Sequence, residues 1–192
     1  MFLPTGIAAA ETGVVMTGWL GSTRDGEWEA EGRTAWTGDE RDWTTRGLGA
    51  GSALASVARG ADGWVGVGGQ DEQMLVVRSD DGLAWTDVLA TAREGSAMQV
   101  VSGPITVLTG CTGGTPVCPS EVWRLEPDGT LTPLGLGGIG PGEVVGLDGL
   151  ALSPEGELLV VGSIAQGFDG PETSTLWWSG PSAPVDVAGR GG

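Results

Sequence analysis

Residues 51–90 read GSALASVARGADGWVGVGGQDEQMLVVRSDDGLAWTDVLA, and this stretch decides the fold. Short apolar runs alternate with turns rich in Gly and Asp, which is typical of antiparallel strands joined by tight hairpins. Leu54, Val57 and Ala58 also have helical spacing, but the strands that follow favour a strand here as well. The sequence therefore predicts four strands, at Ser52–Arg59, Trp64–Gly69, Met74–Ser79 and Trp85–Leu89.

The same succession of strands and turns recurs in three further units of the chain. The first unit contributes Val14–Leu20, Arg33–Thr37 and Trp43–Leu48. The third contributes Ala97–Ser102, Ile105–Gly110, Glu121–Leu125 and Leu131–Leu134, and the last Val144–Leu152, Leu158–Ser163, Leu176–Ser179 and Pro184–Ala188. A glycine ends the second predicted strand of each unit, with successive spacings of 50, 42 and 52 residues: Gly18, Gly68, Gly110 and Gly162.

A repeat of this length, with four strands in each unit, is typical of the blade of a β-propeller. The second strands are apolar on both faces, as expected for strands that lie between two stacked blades. We therefore predict a single all-β propeller domain over residues 1–192, with four-stranded antiparallel blades at approximately 1–50, 51–93, 94–140 and 141–192. The four blades form either a complete small ring or part of a larger propeller. An incomplete ring would expose two blade faces and would favour self-association.

Gly and Pro, with 37 and 11 residues, make up a quarter of the 192-residue chain. Nine Trp residues and an apolar fraction of 40% argue against disorder, so the excess of Gly and Pro indicates many turns. The chain contains no His, Lys, Asn or Tyr. The absence of His and Lys excludes His-based catalytic triads, His-ligated zinc and lysine Schiff bases.

The net charge of −16 argues against nucleic acid as a partner, because phosphate contacts need clustered positive charge. Anionic membrane surfaces are disfavoured for the same reason. No apolar run is long enough for a transmembrane helix, so membrane insertion is not expected. The first residues lack a positively charged region followed by a long apolar segment, so no signal peptide is visible in this chain.

Two turns share one motif just before the fourth strand of their units. In the second unit the motif residues lie at offsets 0, 2, 3 and 6, and they are Ser79, Asp81, Gly82 and Trp85. The first unit repeats these offsets with Thr37, Asp39 and Trp43, and has Glu40 in place of Gly. The hydroxyl and the carboxylate can bond the backbone N–H groups of the turn, while Trp packs between sheets. This motif resembles the Asp-box, or BNR repeat, of sialidase-like β-propellers, in a degenerate form. The third unit keeps only Asp128 and Gly129 of the motif, and the last has Pro181, Ser182 and Ala183 instead.

The resemblance implies that these turns are structural and lie away from a catalytic face. A sialidase would need a Tyr nucleophile, which this chain lacks, so inheritance of that activity is not expected. A glycosidase with two carboxylates stays open, since 25 acidic residues are present but no spacing indicates a pair. No cofactor is expected. Calcium at Asp80 and Asp81 is the alternative, although two adjacent carboxylates supply few of the ligands that calcium needs.

Cys111 and Cys118 flank a loop that contains Gly and Pro in the third unit. This position favours a disulfide over a pair of free, buried thiols. The absence of His and of further Cys argues against a metal site. A disulfide implies an extracytoplasmic setting.

The loops between the second and third strands vary most from unit to unit, and we predict them at Gly21–Gly32, Gln70–Gln73, Thr112–Ser120 and Ala165–Thr175. Variable loops on a rigid scaffold commonly carry recognition. The first and last loops supply a candidate binding rim of acidic and aromatic residues: Asp25, Trp28, Glu29, Phe168, Asp169 and Glu172. A solvated acidic surface is the alternative for each loop taken alone.

These features together predict a non-catalytic, extracytoplasmic or secreted binding or scaffold module. Its ligand would be a carbohydrate or a protein, recognised through the loops on one face. The alternatives are a glycoside hydrolase with paired carboxylates and a propeller-type protein assembly factor.

Overall fold

The computed structural model describes residues 2–24, 27–39, 41–49, 51–113, 120–141, 143–167, 170–179 and 186–190. Within these ranges all sixteen elements are β-strands, and they form four antiparallel sheets of four strands each. The predicted all-β class with four-stranded blades is therefore confirmed. Each sheet follows chain order, so that every pair of neighbouring strands is consecutive in sequence. No described segment forms a helix that is long and apolar enough to cross a membrane.

The strands divide evenly among the four sheets. Sheet 1 contains β1 (Phe2–Ala10), β2 (Gly13–Arg24), β3 (Glu27–Thr37) and β4 (Thr44–Gly47). Sheet 2 contains β5 (Ser52–Gly60), β6 (Gly63–Gln70), β7 (Gln73–Ser79) and β8 (Thr86–Asp87). Sheet 3 contains β9 (Gly95–Ser102), β10 (Thr106–Thr112), β11 (Ser120–Leu125) and β12 (Leu131–Pro133). Sheet 4 contains β13 (Glu143–Leu152), β14 (Leu158–Gln166), β15 (Glu172–Ser179) and β16 (Asp186–Arg190).

Sheet 2 resolves the choice between strand and helix in residues 51–90. The segment Ser52–Arg59 lies within β5 and is a strand, as predicted. The fourth strand is shorter than predicted, because only Thr86 and Asp87 pair with β7. Trp85 precedes this short strand and turns its ring toward the neighbouring sheet instead of joining the ladder.

Sheet 1 differs most from the sequence prediction. Phe2–Ala10 forms a first strand that the sequence did not indicate, because its Ala, Gly and Pro residues have low strand propensity. The predicted loop Gly21–Gly32 is largely a hairpin, in which β2 and β3 pair beyond the core. The predicted loop Ala165–Thr175 is likewise shortened, because β14 and β15 extend into it from both sides. Polar and small residues suggested loops at both places, where the strands extend by backbone pairing.

The first strand of every sheet carries a β-bulge at the same point of the repeat. The bulge leaves one residue of each first strand without a partner on the second strand: Thr5, Ala55, Met98 and Asp148. The repeat glycine lies beside each bulge, and a Cβ there would collide with a carbonyl oxygen of the first strand: Gly18, Gly68, Gly110 and Gly162. The prediction that these glycines end the second strands is therefore wrong. Each strand continues past its glycine, which marks the bulge instead.

Adjacent sheets stack through apolar faces, with β1 packed on β5, β5 on β9 and β9 on β13. The junction of sheets 2 and 3 buries Val67, Leu108 and Trp123, among others. The junction of sheets 3 and 4 buries Val160 and Trp177. Among the described residues, β13 and β1 share no comparable packing. The sheets therefore form a propeller-like series in which the first strands lie innermost.

Candidate functional site

The turn before β8 is held together by the side chains of Ser79 and Asp81. The Ser79 hydroxyl donates to Asp81 Oδ1 at 3.0 Å and accepts from the N–H of Gly82 at 2.8 Å. The same Asp81 oxygen accepts from the N–H groups of Ala84 and Leu83 at 2.9 and 2.8 Å. These two backbone hydrogen bonds, with Ala84 first, hold the pKa of Asp81 below its ordinary value.

The turn before β4 repeats this geometry. The Thr37 hydroxyl donates to Asp39 Oδ1 at 3.2 Å and accepts from the N–H of Asp39 at 3.4 Å. Asp39 Oδ1 also accepts from the N–H groups of Asp42 and Arg41 at 3.1 and 3.0 Å. The hydrogen bonds from Asp42 and Arg41 lower the pKa of Asp39. Both motif turns therefore direct their hydroxyl and carboxylate at their own backbone.

The two motif Trp residues differ in their surroundings. Trp85 packs between sheets 1 and 2, against clusters that include Val15 and Leu54. Trp43 holds the equivalent position in sheet 1 but is exposed. The prediction that the motif Trp packs between sheets is therefore wrong for Trp43, because no described residues cover that side of sheet 1.

The third unit keeps a simpler turn. Asp128 Oδ1 accepts from the N–H of Thr130 at 2.9 Å, and this bond lowers the pKa of Asp128. Gly129 has a φ of 84°, which favours glycine at that position. The corresponding residues of the last unit, 181–183, lie outside the described residues.

No metal site is evident in the part of the chain that the structure describes, where no three acidic, His or Cys residues are grouped to hold an ion. At the calcium candidate, Asp81 directs one oxygen into its own turn, and Asp80 is exposed beside it. Cys111 is buried at the end of β10 and is disulfide-bonded. Cys118 lies outside the described residues, so its pairing with Cys111 stays a prediction.

The candidate rim is only partly described. Asp25, Phe168 and Asp169 lie outside the described residues. Trp28 and Glu29 belong to β3 and not to a loop, and their side chains are not described either. Glu172 is exposed at the first position of β15. Of these six residues only Glu172 has a described side chain, so the rim stays a prediction.

A cleft of about 590 Å³ opens instead beside the bulges of the first three sheets. We call it the bulge cleft, and its lining includes Thr5, Trp19, Ala55, Gln70, Asp71, Glu72, Ser96 and Met98. Three of the four bulged residues line it, because each bulge pushes its unpaired residue out of the ladder. Trp19 and Met98 supply apolar surface, while Gln70 and Ser96 supply hydrogen-bonding groups. A mostly apolar cleft with a few polar groups is typical of ligand sites.

An acidic turn forms one lip of the bulge cleft. Asp71 and Glu72 connect β6 to β7 with φ values of 48° and 67°, the left-handed pair of a tight hairpin that usually favours Asn-Gly. The N–H of Gly95 donates to the Glu72 carbonyl at 2.9 Å, and the N–H of Met74 donates to the Arg93 carbonyl at 2.7 Å. The segment before β9 thus fixes the turn from the neighbouring sheet. Two exposed carboxylates are held at the edge of an apolar cleft.

Part of this site was predictable from the sequence. The loop Gln70–Gln73 was predicted on the recognition face, and its central residues line the bulge cleft. Thr5, Trp19, Ala55 and Met98 were missed. The repeat glycine was the available signal, since a glycine inside a strand often marks a bulge. Which residue leaves the ladder depends on the pairing register, and the sequence does not state it.

No protein-family model matches this chain, and no curated protein is significantly similar to it. The resemblance to the Asp-box therefore rests on the residues and geometry of the turns themselves.

Proposed function

We propose that this chain is a non-catalytic, extracytoplasmic binding module of the sialidase-like propeller type, and that it binds a carbohydrate in the bulge cleft. The observation that carries the proposal is the acidic turn at Asp71 and Glu72, held rigidly at the lip of an apolar cleft. The cleft volume of about 590 Å³ lies within the range of small-ligand sites.

The lining of the cleft suits a sugar. Trp19 offers an amphipathic ring against which the apolar face of a sugar can pack. The carboxylates of Asp71 and Glu72 accept hydrogen bonds from hydroxyl groups, and the Gln70 amide both donates and accepts. A rigid turn loses little conformational freedom on binding, which favours affinity.

Two further observations support the non-catalytic and extracytoplasmic parts of the proposal. Glycoside hydrolysis commonly uses one carboxylic acid held in an apolar pocket, whereas both carboxylates at the cleft are exposed. Cys111 is disulfide-bonded, and disulfides persist mainly in oxidising compartments. The Asp-box-like turns support the propeller type, because both direct their carboxylates at their own backbone.

A glycan array, combined with a panel of chromogenic glycosides, tests the proposal on the purified chain. We expect binding to a limited set of glycans without turnover. Trp19→Ala and Glu72→Gln should each weaken binding by about tenfold, the effect of losing about 1.4 kcal/mol of contact energy. Glu155→Gln is the matched control, because Glu155 is an exposed turn carboxylate in sheet 4, far along the chain from the cleft.

Three outcomes would contradict the proposal. Turnover that is abolished by a single carboxylate substitution would identify a hydrolase. Glycan binding that survives both cleft substitutions would place the site elsewhere. Absence of glycan binding, together with specific capture of one protein partner, would favour the assembly-factor alternative.

A further inference from the structure

In sheets 1 to 3, one face packs against the next sheet along the chain. We call this the outward face of a sheet, and we call the opposite face its inward face. The outward face of sheet 4 exposes positions that are buried in the other three sheets. Alignment of the four repeat glycines makes the pair Val161 and Leu176 equivalent to three other cross-strand pairs. Those pairs are buried against the next sheet: Thr17 and Thr34, Val67 and Val76, Thr109 and Val122. Val161 and Leu176 are instead 41% and 36% exposed. Trp178, which pairs with Leu159 on the same face, is exposed as well.

The opposite end of the series shows the complementary feature. Ile7 of β1 is 64% exposed, whereas its equivalents Val57 and Val100 are buried against the preceding sheet. Trp43 is exposed where Trp85 is covered by sheet 1. An apolar cavity of about 300 Å³ opens on this face, lined in part by Met16, Leu20 and Trp43.

The three internal junctions show what covers such faces. Each outward face is covered by the inward face of the next sheet, as Val107 and Val122 are covered by Val160 and Trp177. The outward face of sheet 4 thus lacks a partner that resembles the inward face of sheet 1. The inward face of sheet 1 likewise lacks a partner that resembles the outward face of sheet 4. Both uncovered faces belong to the same chain, so a second copy supplies both at once.

We infer that two copies of this chain associate head to tail, with sheet 4 of each packed against sheet 1 of the other. The two junctions are then identical and related by a twofold axis, and the eight sheets close into one ring. Closure removes both apolar faces from water, which monomers rarely leave exposed. This inference concerns association and does not depend on what the bulge cleft binds.

Size-exclusion chromatography with light scattering tests the association on the purified 192-residue chain. At a chain concentration of about 0.1 mM, a dimer with a micromolar Kd is almost fully formed. We therefore expect twice the chain mass of 19.4 kDa. Ile7→Glu and Leu176→Glu should each return the single-chain mass, because each removes one partner of every junction. Ile139→Glu is the matched control and should stay dimeric, since Ile139 is similarly exposed but lies beside Trp123 and Pro133 of sheet 3.

Mixing the two variants distinguishes head-to-tail association from like-to-like association. An Ile7→Glu chain keeps its sheet 4 face, and a Leu176→Glu chain keeps its sheet 1 face, so the mixture should regain a dimer through one intact junction. Far-UV circular dichroism verifies that both variants are folded. If either is not, Ile7→Ser and Leu176→Ser replace them, because Ser is tolerated on an exposed strand.

Three results would overturn the inference. The first is a wild-type chain that stays at 19.4 kDa at this concentration. The second is a folded Ile7→Glu or Leu176→Glu variant that dimerises by itself, which would indicate like-to-like contact. The third is an open-ended ladder of masses, which would show that the junction does not close with two copies.

Discussion

Asp81 shows how one carboxylate oxygen can organise a turn that is otherwise exposed. It accepts two backbone N–H bonds and one hydroxyl bond, and its neighbour Asp80 makes none of these. The residues that form the motif therefore stabilise local backbone geometry, and the ionised state of the Asp81 carboxylate is part of that role.

Replacing Asp81 by Ala should lower the free energy of unfolding by about 1 kcal/mol, and the melting temperature by about 2–4 °C. The folded-state pKa of Asp81 lies below its ordinary value of 3.8, so the stabilisation is complete above that pH. It is lost as the pH falls through the folded-state pKa. The difference between wild type and variant should thus shrink at strongly acidic pH, as measured by thermal denaturation.

Asp80→Ala is the control for this change, because it removes an adjacent carboxylate that is also exposed. A comparable loss of stability in Asp80→Ala would point to general charge effects in place of hydrogen bonds. A difference between wild type and Asp81→Ala that persists unchanged at acidic pH would contradict the role of the ionised carboxylate.

For single residues, the sequence predicted the interactions between side chains and the backbone of residues close to them in the chain. The offsets of Ser79, Asp81 and Gly82 predicted a self-contained turn, and the hydrogen bonds have that geometry. The exposure of the Trp43 side chain was not predictable in the same way. Its environment depends on what lies against sheet 1, and the motif carries no information about that side.

The bulge is the element that most clearly defines each sheet. It occurs in β1, β5, β9 and β13 at the same register, always beside the repeat glycine. A bulge increases local twist and leaves one residue without a partner, and three of these residues line the bulge cleft. The same irregularity therefore shapes both the sheet and the candidate site.

Gly68→Ala should destabilise the chain by about 1–3 kcal/mol, because the new Cβ would collide with the Ala53 carbonyl oxygen across the bulge. Gly69→Ala is the adjacent control. Its Cβ would lie 3.6 Å from the Gln73 carbonyl oxygen and 3.7 Å from Ser96 Cβ, which is ordinary contact. Chemical denaturation should therefore show a clear loss for Gly68→Ala and little change for Gly69→Ala, and equal losses would exclude the proposed collision.

The second strands were predicted from their apolar runs. The positions of β6 and β10 follow from burial on both faces, whereas β14 is buried on one face and partly exposed on the other. β1 was missed because Phe2–Ala10 is held by its partner β2 and by packing on β5, not by propensity. The outer half of the β2–β3 hairpin was missed although Glu27–Glu31 alternates Glu with Trp and Ala, which is the period of a strand.

For the whole molecule, the net charge of −16 acts against compactness. Among the described residues two ion pairs are formed, Arg33 with Glu31 and Arg124 with Glu126. Both of these pairs join residues two positions apart and do not connect sheets. Repulsion within the folded chain is therefore relieved mainly by dissolved salt.

Raising the NaCl concentration from low to moderate ionic strength should increase the melting temperature by about 2–4 °C, equivalent to about 1 kcal/mol. The measurement is differential scanning fluorimetry at one fixed chain concentration, because association would also change with salt. A double variant, Glu11→Gln with Glu155→Gln, removes two exposed negative charges and should show a smaller rise. A melting temperature that stays constant or falls with salt would contradict the dominance of repulsion.

The order of the four sheets was predictable from the repeat, whereas the contacts between them were not. The repeat indicates which strands share a sheet, and each repeat glycine marks the second strand of its sheet. How far one sheet turns relative to the next depends on the side chains at each junction. The exposed face of sheet 4 could be recognised only once Val161 and its buried equivalents were compared in the folded chain.

The bulge glycines also bear on how such a repeat diverges over evolutionary time. The position across from the bulge is Gly in all four units, while the residue before it is Thr or Val and the Asp-containing turn is degraded in half of the units. A side chain can be exchanged where a neighbour can adapt, but a carbonyl oxygen of a paired strand cannot move aside. We therefore expect the glycine to be the last of these features to be lost as copies of the repeat diverge. A search for distant members of this repeat should accordingly weight one glycine per unit above the more familiar turn motif.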